Sequence, residues 1–393
     1  MKNNHSKLDE IKNALNAKFY EREAEVEAIL IAILSRQHLL MIGPSGTAKS
    51  ALAVELAKMI QDTKYFQWLL TRFSTPEELF GPLSLKDLEQ GLYKRNTASK
   101  MPEVHIVFLD EIFKANSAIL NSLLSIINER VFYNNGLPVQ VPLMSVIGAS
   151  NEYPEEDEGL EALFDRFLLR FEVEYIADDT NFVSMMKNLG EHGQMPTITM
   201  EDLIHFQFLT DMVVIQEEVY SAITKIRKEL RDEGIRPSDR RFKQSLSVLQ
   251  ARALIRGRQV VLVDDIVILE NALWETIDQK DTVSVIVRRH AQDTAIRALD
   301  SIQNEANEVL DSIMRDNSAE AGMEATQKME ALVADLNMVK GCYKGRDVEI
   351  DALLIKVKSM QQEILNAILE PMYFGALNDK KEMGGDTGIF YKM

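Results

Sequence analysis

A short segment near the start of the chain constrains its fold more than any other feature. An apolar run at 39–42 leads into Gly-Pro-Ser-Gly-Thr-Ala-Lys-Ser at 43–50, and an apolar-rich stretch continues from 51 to 60. A buried strand, a glycine-containing loop and a helix in this order are the context of a phosphate-binding P-loop. The N–H groups of such a loop and the positive end of the helix dipole converge on a phosphate. The segment therefore predicts an α/β fold with a parallel sheet that binds a nucleotide.

The residues of this loop suggest individual roles in binding ATP or ADP with Mg²⁺. Lys49 would place its charge at the β- and γ-phosphates, and the Ser50 hydroxyl would be a ligand of Mg²⁺. Ala48 stands where the general pattern has a second glycine, and we expect the geometry to hold because alanine suits the start of a helix. The predicted nucleotide-binding residues are Gly43, Pro44, Ser45, Gly46, Thr47, Ala48, Lys49, Ser50 and Ala51.

A second motif, at 104–111, ends in two acidic residues. Its apolar residues on both faces indicate a strand in the middle of a sheet. Two carboxylates at the end of a buried strand are costly without a cation, and ligands of open α/β sheets bind beyond the carboxyl ends of the strands. We therefore predict that Asp110 holds Mg²⁺, through water, and that Glu111 orients the attacking water.

Three polar residues further along the chain are also candidates for the site. Asn151 follows a strand predicted at 143–150, where its amide would bond both the γ-phosphate and the water or would simply belong to a turn. Arg166 and Arg170 lie in a helix-and-strand segment at 160–173. Each guanidinium is either part of an internal ion pair or a finger that reaches a neighbour's nucleotide.

Two adjacent arginines open a predicted helix at 239–256. The helix dipole disfavours cations at this end, so Arg240 and Arg241 require an anion nearby. A γ-phosphate would account for them, and so would an acidic neighbour within the fold. Both are therefore candidate nucleotide-binding residues.

The composition excludes several classes of protein. The net charge of −17 argues against a general nucleic-acid-binding surface, which needs a basic field. Cys342 is the only cysteine, so there is neither a disulfide framework nor a cysteine cluster for zinc. The longest apolar run near the start, 28–34, is far shorter than the roughly 20 residues that span a bilayer. We therefore expect no transmembrane segment and a cytoplasmic location.

The remaining pattern predicts how the chain is divided. Residues 8–35 have helical periodicity, and no proline lies between Pro237 and Pro371, so the C-terminal part is predicted to be helical. The predicted domains are an α/β nucleotide-binding domain at 1–190, an α-helical lid at 191–277, and a helical extension at 278–393 that ends in a loose tail at 379–393.

Taken together, these motifs resemble those of the MoxR branch of the AAA+ ATPases, and most closely those of its RavA-type subgroup. The resemblance covers about residues 10–275 and rests on GPSGTAKS at 43–50, FLDEI at 108–112, SLLSIINER at 122–130, GASN at 148–151 and ALFDRFLLR at 162–170. Alanine at position 48 is common in this branch. The helical C-terminal part departs from the RavA type, which carries a β-rich insertion there.

The resemblance implies a role for each candidate site residue and a P-loop NTPase fold of the AAA+ type. The matches are Lys49 and Ser50 with Walker A, Asp110 and Glu111 with Walker B, Asn151 with sensor 1, Arg166 with the arginine finger (Arg170 as second choice), and Arg240 rather than Arg241 with sensor 2. It also implies hairpin insertions at 83–95 and 130–142. The nucleotide would lie between the α/β core and the lid, with Arg240 acting beside Lys49.

The resemblance further implies a homo-oligomeric ring, a hexamer, that hydrolyses ATP with Mg²⁺ to remodel or activate a protein client in chaperone fashion. Family members commonly work with a partner that contains a von Willebrand factor A domain. Two other functions stay open. A McrB-like defence motor linked to nucleic acid would show strongly salt-sensitive DNA binding. A nucleotide-gated scaffold would assemble on ATP with little release of phosphate.

Overall fold

The computed structural model describes residues 2–154, 160–187, 195–291, 294–315, 319–342 and 348–364. The chain forms two compact units, Met1–Ala291 and Gln292–Met393. The division falls after the helix Lys280–Ala291, which packs on earlier segments of the first unit. The domain boundaries expected at 190 and 277 stay predictions, and the tail expected at 379–393 lies outside the described residues.

The core of the first unit is a parallel sheet of five strands. They are β1 (Leu39–Ile42), β2 (Tyr65–Leu69), β3 (Ile106–Asp110), β6 (Ser145–Ser150) and β7 (Leu169–Glu172). Their order across the sheet is β2-β3-β6-β1-β7. Strands β1 and β6 are buried along their whole length, as is typical of central parallel strands. The predicted α/β class with a parallel sheet is confirmed.

Helices and short strands complete the described part of this unit. The helices are α1 (Lys2–Lys18), α2 (Glu23–Leu34), α3 (Lys49–Lys58), α4 (Pro76–Phe80), α5 (Leu85–Leu88), α6 (Ser117–Glu129), α7 (Glu161–Arg166), α8 (Asp179–Lys187), α9 (Met200–Asp211), α10 (Glu217–Asp232), α11 (Asp239–Ile255) and α12 (Lys280–Ala291). The remaining strands are β4 (Val131–Asn134), β5 (Leu137–Gln140), β8 (Val214–Ile215) and β9 (Val260–Val261), and 3-10 segments lie at Met101–Glu103, Ile112–Lys114, Val263–Asn271 and Ile277–Gln279.

The register of the sheet decides where the candidate residues lie. All neighbouring strands run parallel, so their carboxyl ends meet at one edge, where the P-loop, the Asp110–Glu111 pair and Asn151 follow β1, β3 and β6. Strand β7 is aligned with β1, from Leu39 beside Leu169 to Ile42 beside Glu172. The helix that precedes β7 therefore ends at the opposite, amino edge of the sheet.

The two predicted insertions contact each other, but only the second is a hairpin: residues 83–95 form the short helix α5 and a single bridge between Leu83 and Arg95. Strands β4 and β5 form the expected hairpin, with Asn135 and Gly136 at φ values of 54° and 75° in its turn, which suits the turns that join twisted strands. The Asn135 side chain accepts the N–H of Tyr93 at 2.8 Å, and the Asn134 side chain accepts the N–H of Arg95 at 2.7 Å. The hairpin is therefore joined to the insertion at 83–95.

The second unit consists of helices in its described part. These are α13 (Thr294–Arg315), α14 (Ala319–Cys342) and a helix at 348–364. Their buried residues recur at steps of three, four or seven positions, as expected for helices that pack along one stripe: Ile302, Ala306, Val309, Ile313, Ala325, Met329, Leu332, Leu336, Leu353, Val357 and Ile364. Among the described helices of the whole chain, none is both long enough and apolar enough to cross a bilayer.

Candidate active site

The loop between β1 and α3 encloses the ammonium group of Lys49. Its Nζ donates to the carbonyl oxygens of Gly43 at 2.5 Å and Pro44 at 2.9 Å, and it lies 3.4 Å from the Thr47 hydroxyl. Burial lowers the pKa of Lys49, and the charges of Asp110 and Glu111 oppose that shift. The ammonium therefore lies inside the loop, next to the helix end whose free N–H groups attract a phosphate.

The geometry of the loop requires one glycine, Gly43, and favours a second, Gly46. A Cβ atom on Gly43 would lie 2.0 Å from the carbonyl oxygen of Val173, so no other residue fits there without moving the backbone. Gly46 has φ +83°, a left-handed conformation that side chains disfavour. The loop is also anchored to the sheet, because the N–H of Gly43 donates to the Ser150 carbonyl at 3.0 Å.

Ala48 adopts a conformation that the sequence pattern did not predict. It precedes α3 with φ 67° and ψ 16°, in the left-handed region. We expected alanine to suit a helix start, but this position lies just outside the helix and is the place of the second glycine in the general pattern. An L-residue with a Cβ is strained there by roughly 1–2 kcal/mol.

Replacing Ala48 with glycine should therefore stabilise the protein. We expect the Ala48→Gly variant to gain about 1 kcal/mol in the free energy of unfolding, measured by urea denaturation, because glycine adopts the left-handed conformation without strain. The matched control is Ala118→Gly, at an exposed position in the first turn of α6, which should lose roughly 0.5–1 kcal/mol. Equal losses in the two variants would contradict the strain at Ala48.

Arg22 is a contact of the loop that sequence reasoning missed. Its buried guanidinium donates to the carbonyl oxygens of Thr47, at 3.2 Å, and of Glu174. It lies in a break of the helix predicted at 8–35, where Glu21 has φ 55° and separates α1 from α2. The helical periodicity continues across this break and therefore hides it. The only sign of the break in the sequence was the group of charged residues within an otherwise apolar stretch. Arg22 joins the α1–α2 turn to the P-loop.

Glu111 and Asn151 are brought together at the carboxyl edge of the sheet. The Asn151 side-chain amide donates to one carboxylate oxygen of Glu111, and the Lys114 ammonium lies 3.1 Å from the other. Glu111 itself has φ 53° and ψ 46°, so its side chain leaves the end of β3 from a strained backbone. The structure thus holds this carboxylate between an amide and an ammonium. Lys114 is a second residue that sequence reasoning missed.

The surroundings of Glu111 can accommodate water and a metal ion. A cavity of about 40 Å³ is lined in part by Glu111, Lys114 and Ser150, and this volume is enough for a water molecule. Ser50 in the first turn of α3 and Asp110 at the end of β3 lie at the same edge of the sheet. Mg²⁺ commonly takes one or two protein oxygens and completes its shell with phosphates and water, so this pair fits the ion.

Three arginines converge on one carboxylate, that of Asp165. One of its oxygens accepts from Arg166 at 2.8 Å and from Arg240 at 2.7 Å, and the other accepts from Arg241 at 3.0 Å. Burial acts to raise the pKa of Asp165, but the guanidinium groups of Arg241, Arg240 and Arg166 outweigh it and the pKa is lowered. Arg240 and Arg241, at the start of α11, were expected to need an anion nearby. In this structure that anion is an acidic neighbour, the Asp165 carboxylate.

The candidate arginines form two pairs, and in each pair one side chain is buried while the other is accessible. Arg170 is 1% exposed, donates to the carbonyl oxygens of Phe164, Phe167 and Trp274, and lies 4.0 Å from the centre of the Phe164 ring. Arg241 is 2% exposed and donates to the carbonyl of Ala272 at 2.6 Å. Neither guanidinium is available to a nucleotide from outside. The side chains of Arg166 and Arg240 are 24% and 45% exposed.

Arg166, which is partly exposed, and Arg240, which is exposed, lie at the opposite edge of the sheet from the P-loop. Arg166 ends α7 and is followed by Leu169, which is level with Leu39, whereas the P-loop follows Ile42. Three residues of strand separate these levels by about 10 Å. Arg240 shares the Asp165 oxygen with Arg166 and is therefore at the same edge. This placement differs from the expectation that Arg240 acts beside Lys49 of its own chain.

Comparisons with known proteins agree with this arrangement of motifs. A family model described as the MoxR domain in the MoxR-vWA-beta-propeller ternary systems matches residues 6–209, and a model of an AAA lid domain matches residues 218–287. An uncharacterised protein of Methanocaldococcus jannaschii is 40% identical over 307 residues, which are 77% of this chain and 80% of that protein. The chaperone MoxR1 of Mycobacterium tuberculosis is 23% identical over 309 residues, 72% of this chain and 81% of that protein. The crystal structure of a Cytophaga hutchinsonii protein assigned as an ATPase has a similar fold, with a TM-score of 0.60 at 20% identity, covering 73% of this chain and 94% of that one.

Proposed function

The chain belongs to the MoxR family of AAA+ ATPases, and from this premise we propose that it hydrolyses ATP at sites formed between neighbouring copies of itself. The family and its fold support nucleotide binding, usually with Mg²⁺. The observation that carries the shared site is the separation of Lys49 and Glu111 from the accessible guanidinium groups of Arg166 and Arg240, at opposite edges of one sheet.

Within this proposal each residue acts on the nucleotide or on the water that attacks it. Lys49 leaves the loop carbonyls and binds the β- and γ-phosphates, while the N–H groups of the loop hold the same oxygens. Mg²⁺, held by Ser50 and Asp110, would neutralise charge on these phosphates. Glu111 orients the attacking water, and Asn151 keeps its carboxylate at the carboxyl edge of the sheet.

A neighbouring copy supplies the positive charge that this half-site lacks. A P-loop enzyme gains about 10³–10⁵ in rate from an arginine that stabilises the charge of the transition state. Arg166 and Arg240 of one copy would approach the γ-phosphate held by the next, and they would exchange Asp165 for a phosphate oxygen. Repeating this head-to-tail contact closes a ring, and we propose a hexamer.

The client side of the proposal rests on the relatives and on the insertions. The matched family model is named for ternary systems with a vWA protein, and one relative is named a chaperone. Both names support remodelling of a protein client, with a partner that contains a von Willebrand factor A domain. The joined insertions present exposed aromatic and aliphatic side chains to such a client, namely Tyr93, Tyr133 and Leu137. The RavA-type subgroup stays a prediction.

The experiment that tests the proposal measures phosphate release from ATP against protein concentration, with Mg²⁺ and with excess chelator. We expect the rate per subunit to rise with concentration in parallel with assembly, followed by light scattering, and to vanish without Mg²⁺. A rate per subunit that does not change with concentration would contradict a shared site. Assembly on ATP without phosphate release would identify a scaffold instead.

A further inference from the structure

Helix α8 exposes all of its apolar side chains. None of its nine described residues, Asp179–Lys187, is buried. Phe182, Val183, Met185 and Met186 are 39–47% exposed, and their spacing places them on one side of the helix. A helix of this length is not stable in water by itself and is usually held by packing of an apolar face. The apolar side of α8 therefore requires a partner.

The start of α8 is fixed beside the P-loop. The Glu21 carboxylate accepts the N–H groups of Ala177, at 2.8 Å, and Asp178, at 3.0 Å, and it also accepts the Asn181 side chain. Just before this segment, the Tyr175 hydroxyl donates to the Ser45 carbonyl at 3.4 Å. The start of α8 thus lies close to the loop between β1 and α3.

The surface next to Arg240 is basic, whereas the segment that leads into α8 is acidic. A cavity of about 390 Å³ is lined by Arg227, Arg231 and Arg236 together with Ile235 and Pro237. It adjoins Arg240 along the chain, and Arg227 is bonded to Asp239 at 2.7 Å. The segment leading into α8 is acidic, with exposed side chains at Glu174, Asp178 and Asp179.

We propose that the apolar side of α8 is covered by a second copy of this chain, the copy that delivers Arg166 and Arg240 to the P-loop. The inference rests on the proposed function. A guanidinium reaches a phosphate oxygen only at about 3 Å, so the copy that carries it must pack closely around the P-loop, where α8 begins. The basic surface around Arg240 of that copy then faces the acidic start of α8. Apolar atoms of the same copy cover Phe182 and Met186.

Assembly measured with a non-hydrolysable ATP analogue tests this inference separately from catalysis. The test variant is Phe182→Gln/Met186→Gln, which keeps helix propensity and changes only exposed side chains. We expect it to fold and bind nucleotide as the wild type does, and to need at least about tenfold more protein to assemble in sedimentation. The matched control is Ile204→Gln/Phe208→Gln on α9, a pair with the same spacing and exposures of 52% and 57%, which should assemble normally.

Hydrogen exchange of residues 179–187 gives a second readout. We expect these amides to exchange more slowly once wild-type protein assembles, because the neighbour packs on α8. Three results would overturn the inference. The Gln variant could assemble as the wild type does, the exchange rate at 179–187 could stay unchanged on assembly, or the wild type could stay monomeric. A wild type that assembles but releases no phosphate would refute the proposed ATPase alone, and the two variants would still decide the role of α8.

Discussion

Replacing Glu111 with glutamine should lower the rate of ATP hydrolysis by about 10²–10⁴-fold while the protein still binds nucleotide. Glutamine has nearly the same shape and still accepts a hydrogen bond from Asn151, but it lacks the negative charge that orients the attacking water. The loop residues around Lys49 are unchanged by this substitution, so affinity for ATP should be retained. Phosphate release and the binding of a fluorescent nucleotide measure the two quantities.

The control for this substitution is Glu201→Gln. Glu201 is an exposed acid in the first turn of α9, outside the cavity beside Glu111, and the same loss of charge there should leave the rate within a factor of about two. A Glu111→Gln variant that hydrolyses ATP at the wild-type rate would show that another group orients the water. A variant that no longer binds nucleotide would show that Glu111 supports the P-loop instead.

Replacing Arg166 with alanine should lower the rate of ATP hydrolysis by the assembled protein about 10³–10⁵-fold. The side chain is partly exposed and its bonded partner, Asp165, keeps Arg240 and Arg241, so the free energy of unfolding should change by less than about 1 kcal/mol. The loss should appear in the rate at saturating ATP, because the guanidinium acts on the charge that develops in the transition state.

Arg170→Ala is the comparison that separates a catalytic arginine from a structural one. Arg170 is buried and bonds three carbonyl oxygens. Its removal takes a donor from each of them, and although the Phe164 carbonyl keeps the Phe167 N–H, each carbonyl left unsatisfied costs about 1–3 kcal/mol. We expect a clear loss of stability in urea denaturation. If Arg166→Ala destabilises the protein and Arg170→Ala affects only the rate, the assignment of the two residues is reversed.

The carboxyl edge of the site could be predicted from sequence because its information is local. The P-loop, the Asp110–Glu111 pair and Asn151 each follow a buried strand, and parallel strands end at one edge of a sheet. The rule places Glu111 and Asn151 at the same edge, and they touch because β3 and β6 are neighbouring strands. The left-handed backbone of Ala48 could not be predicted in this way, because helix propensity applies to residues inside a helix and Ala48 lies just before α3.

The arginines at the amino edge could not be sorted from sequence. Arg166 and Arg170 are four residues apart, and only the fold reveals that one faces outward while the other meets the Trp274 carbonyl, 104 residues away. The same holds for Arg241, which is buried against the carbonyl of Ala272. Position within a motif identifies such residues as candidates, but tertiary packing decides which guanidinium is accessible.

The position of Arg240 relative to the P-loop also follows from the register of the sheet. The resemblance implied a site beside Lys49, whereas pairing of Leu39 with Leu169 places the Asp165 cluster at the far edge. No local pattern records the alignment of two strands that are 130 residues apart. The proposed site between two copies rests on that alignment.

Mixing two inactive variants tests this claim most directly. Glu111→Gln and Arg166→Ala protein are combined in equal amounts, subunit exchange is verified by native mass spectrometry, and phosphate release is measured. If the arginine acts on a neighbour's nucleotide, sites that join the P-loop of an Arg166→Ala copy to the arginine of a Glu111→Gln copy are intact. Random mixing makes about a quarter of the sites of this kind, so the mixture should recover a comparable fraction of the wild-type rate. A mixture no more active than its two components would contradict the shared site.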